Sequence, residues 1–108
     1  MALYTVVSFN VTVVKNTKGH DHIELSLDLL NSSGNPKKVA YRLNDDTRHS
    51  LPQMVQDLND GLNLAVSRSI KIEIGEYLER MYIFIKLPFL ESNGKIVKKQ
   101  LQYTAHKL

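Results

Sequence analysis

Cysteine is absent from the 108 residues, which removes disulfide scaffolds, thiolate zinc sites, iron–sulfur clusters and thiol nucleophiles, and leaves the redox compartment open. The five glycines are isolated from one another. With neither a Gly-x-x-x-x-Gly-Lys loop nor a Gly-x-Gly-x-x-Gly turn, P-loop and Rossmann nucleotide chemistry is excluded. There is no Gly-x-Ser-x-Gly, and the serines fall mostly in turns or caps. No apolar run approaches the roughly 18 residues of a membrane-spanning helix. Met1–Leu3 leads straight into a strand pattern, with no basic leader or small-residue cleavage site, so an intracellular, cytoplasmic protein without a membrane partner is expected. Aromatics are only 7% of the chain and lysine outnumbers arginine, neither of which suits a dedicated base-reading surface.

What is present is ordinary globular chemistry: 43% hydrophobic, 23% charged and a net charge of +3. A chain of this size buries about two-thirds of the surface its unfolded form exposes, enough for one core. A single domain over 1–108 is expected.

Period-two alternation marks the strands. Over 3–14, Leu3, Val7, Phe9, Val11 and Val13 share one face, with Tyr4, Ser8, Asn10 and Thr12 on the other. A turn at Asn16-Thr17-Lys18-Gly19 leads to a second strand, in which Ile23, Leu25, Leu27 and Leu29 alternate with His22, Glu24, Ser26 and Asp28. The cluster Asn31-Ser32-Ser33-Gly34-Asn35-Pro36 turns the chain into a third strand carrying Val39, Tyr41 and Leu43.

After Asn44 the period changes. Ser50 stands three residues before Gln53, a capping-box spacing, and Pro52 falls in the first turn, where its missing N–H is harmless. Leu51, Met54, Val55, Leu58, Leu62 and Ala65 then form one stripe of a helix over 51–67. Gly61 inside it costs about 1 kcal/mol against alanine and points to a close approach or a weak point. Ile70, Ile72 and Ile74 resume the strand period, with Gly75 closing the run. Met81–Leu87 is apolar on both faces apart from Lys86, as in a central strand, and Pro88 ends it. Ser92-Asn93-Gly94 signals a hairpin into a last, lysine-rich strand over 96–105, an edge blunted by charge.

The expected order is β-β-β-α-β-β-β: an α+β domain in which an antiparallel sheet of about six strands carries one amphipathic helix. An OB-like barrel shares this order, its helix plugging the barrel bottom, and so does an open sheet backed by a helix. Gly19, Gly34 and Gly94 sit in turns and not in mid-strand, which favours the open sheet. Fold order by itself says little about function.

His20-Asp21-His22 is the most metal-like local group, since His20 and His22 share a strand face and Asp45 or Asp46 is available as a further ligand. No complete ligand set is visible, and a solvated turn beside a hairpin is the expected reading; no metal or cofactor is assigned. His49 precedes a helix cap and His106 sits in the terminal tail. Asp45-Asp46 and Asp57/Asp60 lie in polar segments with nothing to split their pKa values, so no catalytic pair is assigned and an enzyme is not expected.

Charge is distributed unevenly: +1 over 1–50, −2 over 51–94 and +4 over 95–108. Lys95, Lys98, Lys99 and Lys107, interleaved with Tyr103 and His106, fit a phosphate-tracking groove with a stacking aromatic; they fit equally an edge strand guarded against aggregation. Tyr82 and Phe84 share a face with Lys86 on the central strand, opposite Ile83 and Ile85. With Tyr103, they are the candidate centre of a protein interface. One helix offers too little cover for both faces of such a sheet, which points to self-association, most simply as a dimer. The leading expectation is a non-catalytic protein-binding module, a homo-oligomeric adaptor or inhibitor docking through a sheet face or edge. The alternative is a single-stranded nucleic-acid binder using the basic C-terminal strand.

Overall fold

A computed structural model describes residues 2–15, 18, 20–44 and 50–108. Six strands and one long helix follow in the expected order: β1 (Ala2–Lys15), β2 (Asp21–Leu30), β3 (Pro36–Asn44), α1 (Leu51–Ser67), β4 (Ile72–Tyr77), β5 (Tyr82–Leu90) and β6 (Ile96–Lys107), with a single 3₁₀ turn, Leu78–Arg80, between β4 and β5. Asn16, Thr17 and Gly19 of the first turn, and Asp45, Asp46 and His49, lie outside the described residues.

The strands form two antiparallel meanders, β1–β2–β3 and β4–β5–β6. Their second hairpins are built alike. Gly34 N–H donates to the Asn31 carbonyl and Asn31 N–H to Asn35, just as Gly94 donates to Glu91 and Glu91 to Lys95. Both glycines take positive φ, 81° and 84°, which is why each turn needs one. The meanders meet at two seams of three residue pairs each, Ala2–Tyr4 with Ile72–Ile74 and Tyr41–Leu43 with Ala105–Lys107. The strand order therefore runs β1-β2-β3-β6-β5-β4 and returns to β1, a ring of six strands, one more than an OB-type barrel has and not the open sheet that the turn glycines favoured; closure covers the inner face, so the want of cover no longer argues for self-association.

Curvature comes from two devices absent from the sequence reading. The β1–β2 register slips between Val6 and Ser8, a bulge that adds a residue and bends the strand. Because side chains alternate with period two, the slip exchanges faces: Tyr4 and Val6 are buried, while Leu3 and Val7, expected beside Phe9 and Val11, are 44% and 55% exposed. Gly75, expected to close its strand, lies inside β4 opposite Phe84. Boundaries also differ: Ile70, expected in the fourth strand, precedes it, and β6 runs two residues beyond Ala105. Met81 is the left-handed residue (φ 60°) that ends the 3₁₀ turn, so β5 begins after it. Pro88 does not end β5, which pairs with β6 as far as Leu90; beyond Lys86, β5 has lost β4 as a neighbour, and at such an edge a missing N–H is tolerated.

Inside the ring, Ile23, Leu25, Leu27, Tyr41, Leu43, Ile83, Ile85 and Leu87 are buried, and α1 brings Met54, Leu58, Leu62 and Ala65 to them. The helix packs on β1 and β5. A Cβ on Gly61 would lie 2.8 Å from Leu87 Cβ, so the glycine marks a close approach of helix to strand. The cap is half of the expected box: Ser50 Oγ accepts Gln53 N–H at 3.4 Å, but the Gln53 side chain donates to Asp57 at 2.8 Å instead of reaching back. No helix of the described residues is long and apolar enough to cross a membrane.

Candidate functional site

Alternation along β5 sends Ile83, Ile85 and Leu87 into the core and Tyr82, Phe84 and Lys86 to the outside of the second meander. The antiparallel register of β4 on β5 then sets three cross-strand pairs on this outer face: Tyr77 with Tyr82, Gly75 with Phe84, and Glu73 with Lys86. β6 extends each row with Thr104, Gln102 and Gln100. Leu3 of β1 joins the Glu73 row through the first seam.

The chemistry of the rows differs. Tyr77 and Tyr82 stack, with ring centroids 4.9 Å apart, and Tyr77 tilts toward Phe84 at 5.9 Å. Such contacts add about 0.5–1.5 kcal/mol to area burial. Phe84 lies across Gly75, where any Cβ would collide with its ring, and so is 6% exposed although it stands outside the main core. The glycine is roofed by its cross-strand aromatic, a recurrent way to stabilise a glycine in a sheet. Tyr77 remains 41% exposed and Met81, just beyond it, 47%. At the other end of the patch Lys86 Nζ sits 3.1 Å from Glu73 Oε2, and the carboxylate is the more buried partner.

The outer face of the first meander carries a polar cluster beside the exposed Val7. Ser8 donates to Asp28 at 2.7 Å, Lys38 lies 3.9 Å from the same carboxylate, and Glu24, Ser26 and Arg42 complete it.

The other expected site residues are dispersed. Tyr103, placed in both the interface and the groove by the sequence, points into the core at 5% exposure and has no face to present. Lys98 and Lys99 project to opposite faces, paired with Pro88 and Leu87. Lys99 lies over the Phe89 ring at 5.1 Å. Lys107, eight residues and roughly 27 Å along the strand, is 3.2 Å from Glu76. Lys95 is in the hairpin turn, and His106 is paired with Arg42 across the second seam, so β6 is not a plain edge there. The basic residues therefore do not converge on one groove.

Of the histidine group, His20 and Asp21 are exposed, while His22 is buried with Nε2 3.7 Å from Glu24. No cluster of three potential metal ligands occurs among the described residues. Asp57 accepts from Gln53, and Asp60 edges a shallow groove between α1 and the end of β5, lined also by Leu64, Ser67 and Phe89. The Tyr41 phenol is also buried inside the ring. Among the described residues the Tyr41 hydroxyl has no hydrogen-bond partner, and burial, followed by the Glu76 carboxylate, holds its pKa well above the ordinary tyrosine value. A phenol held neutral in this way is no general base near neutral pH.

Tyr77, Gly75 and Glu73 were missing from the sequence-based set. Their signal is the mirrored pattern Glu73-x-Gly75-x-Tyr77 and Tyr82-x-Phe84-x-Lys86, which a short connection brings into register row by row. Reading Gly75 as a strand end concealed it. Compared with known proteins, the chain matches no family model, no curated protein and no solved structure.

Proposed function

We propose that the chain is a cytoplasmic, non-catalytic protein-binding module, a homo-oligomeric adaptor or inhibitor that docks through the outer face of β4–β5–β6. The observation that carries this reading is the stacked pair Tyr77, 41% exposed, and Tyr82, partly buried, on the face opposite the helix. Roofing Gly75 accounts for Phe84 but needs neither tyrosine exposed. Aromatics ringed by Gln100, Gln102, Thr104 and one ion pair have the composition of an interface centre with a polar rim.

The test replaces Tyr77 and Tyr82 together by Ser and follows mass by light scattering across a concentration series. The wild type is expected to exceed the 12.3 kDa monomer and the double variant to remain at it, with an unchanged circular dichroism spectrum. Association that survives the double substitution overturns the reading. Binding of a single-stranded oligonucleotide whose salt slope flattens by about 0.7 per contact on replacing Lys98 and Lys99 by Gln would move the function to the nucleic-acid class.

A further inference from the structure

We infer that the occupant of this face is a second copy of the chain, turned about a two-fold axis that runs along the strands midway between β4 and β5. The inference rests on the homo-oligomeric docking role proposed above and adds the orientation of the partner copy.

Each row pairs one β4 residue with one β5 residue: Glu73 with Lys86, Gly75 with Phe84, Tyr77 with Tyr82. An axis along the strands between these columns keeps each row at its own height and exchanges its members. Glu73 then meets the partner's Lys86 while Lys86 meets the partner's Glu73, and Tyr77 meets the partner's Tyr82. Nothing is left facing a like charge.

A foreign partner of uniform charge would gain against one member of the ion pair and lose against the other. Only a surface with the two charges in reversed order gains twice, and the rotated copy is such a surface. Isologous contacts of this kind close as dimers and do not propagate. Face-to-face sheets pack about 10 Å apart, a gap that tyrosine and lysine side chains from both sides span.

Extent sets the strength. Three strands about 4.8 Å apart, over the five paired rows of β4 and β5 at about 3.4 Å per residue, give a patch on the order of 250 Å² in plan, with Leu3 at its margin. Two such patches fall below the size of standard interfaces, in the range of weak and transient contacts. The dimer is therefore reversible and concentration-dependent, and gives its side chains back to solvent on dilution.

Sedimentation equilibrium on Lys86→Glu, Glu73→Lys and their equimolar mixture tests the orientation. Each variant alone places like charges across the axis and should weaken dimerisation at least about tenfold. Mixing them juxtaposes opposite charges between chains and should restore association to the wild-type level. An ion pair that acts only within one chain predicts no recovery, which would overturn the inference. If Tyr77→Ser with Tyr82→Ser abolishes association while the mixture shows no recovery, the docking face stands and the two-fold arrangement falls; a wild type that stays monomeric at the highest attainable concentration overturns both. Should either charge reversal fail to fold, Lys86→Gln and Glu73→Gln replace it, and each must then weaken dimerisation without lowering Tm by more than a few degrees.

Discussion

Tyr41 illustrates how a single buried group ties sequence to stability. It occupies an inward position of β3 at 0% exposure, and its hydroxyl, without a hydrogen-bond partner among the described residues, faces the Glu76 carboxylate that Lys107 neutralises at 3.2 Å. A buried hydroxyl left unpaired is a cost, so Tyr41→Phe should leave stability at neutral pH unchanged or raise it by up to about 1 kcal/mol. The alkaline limb separates the two proteins further. In the unfolded chain the phenol ionises near its ordinary value of about 10, whereas the folded protein holds the proton to higher pH. Above pH ~10 the unfolded state thus binds fewer protons than the native state, and stability falls as pH rises. Urea unfolding at a series of pH values should show the advantage of Tyr41→Phe growing through this range. Parallel curves would mean that Tyr41 ionises equally well in both states.

At the scale of elements, the contact of α1 with β5 decides the sign of a substitution that propensity alone gets wrong. Alanine in place of Gly61 would gain about 1 kcal/mol of helix propensity. Its Cβ would stand 2.8 Å from Leu87 Cβ, near the strand backbone and not at a movable tip, and relieving that overlap costs about 1–3 kcal/mol. Gly61→Ala should therefore destabilise, lowering the urea midpoint without changing the slope; a raised midpoint would show that the helix shifts freely. The helix span and its buried stripe were legible because each follows from local periodicity, whereas at Gly61 the local cost left a close approach and a weak point open, and only the contact with Leu87 decides between them. The bulge after Val6 was not, since an inserted residue leaves the alternation of Leu3, Val7 and Phe9 intact in sequence while exchanging their faces in space. The same limit applies to the candidate site. Tyr82, Phe84 and Lys86 share a face by alternation within one strand, but Tyr77, Gly75 and Glu73 join them only through a cross-strand register. Tyr103 has the composition of a surface aromatic, and only the β5–β6 pairing with Ile83 turns it inward.

At the scale of the whole molecule, the ring is held unevenly. The β2–β3 and β5–β6 ladders each run through nine residue pairs, whereas the seams that join the meanders have three each. Both seams use chain ends: the first residues of β1 close against β4, and the last of β6 close against β3. Their neighbours within each meander are long ladders backed by the shared core, so parting a seam exposes a few backbone groups without dismantling either sheet. Local opening should accordingly require less free energy at the seams than at ladder centres. Native-state hydrogen exchange is expected to find amides of Leu3, Tyr4, Arg42 and His106 that are engaged in the seams exchanging well before those of Leu25, Leu27 and Ile85. The exchange of the ladder amides should track global unfolding in urea, and that of the seam amides should depend on urea only weakly, because a small opening exposes little surface. Equal protection and equal urea dependence at both places would show that the ring opens only as a whole, with the core, not the pairing at the chain ends, holding the two meanders together.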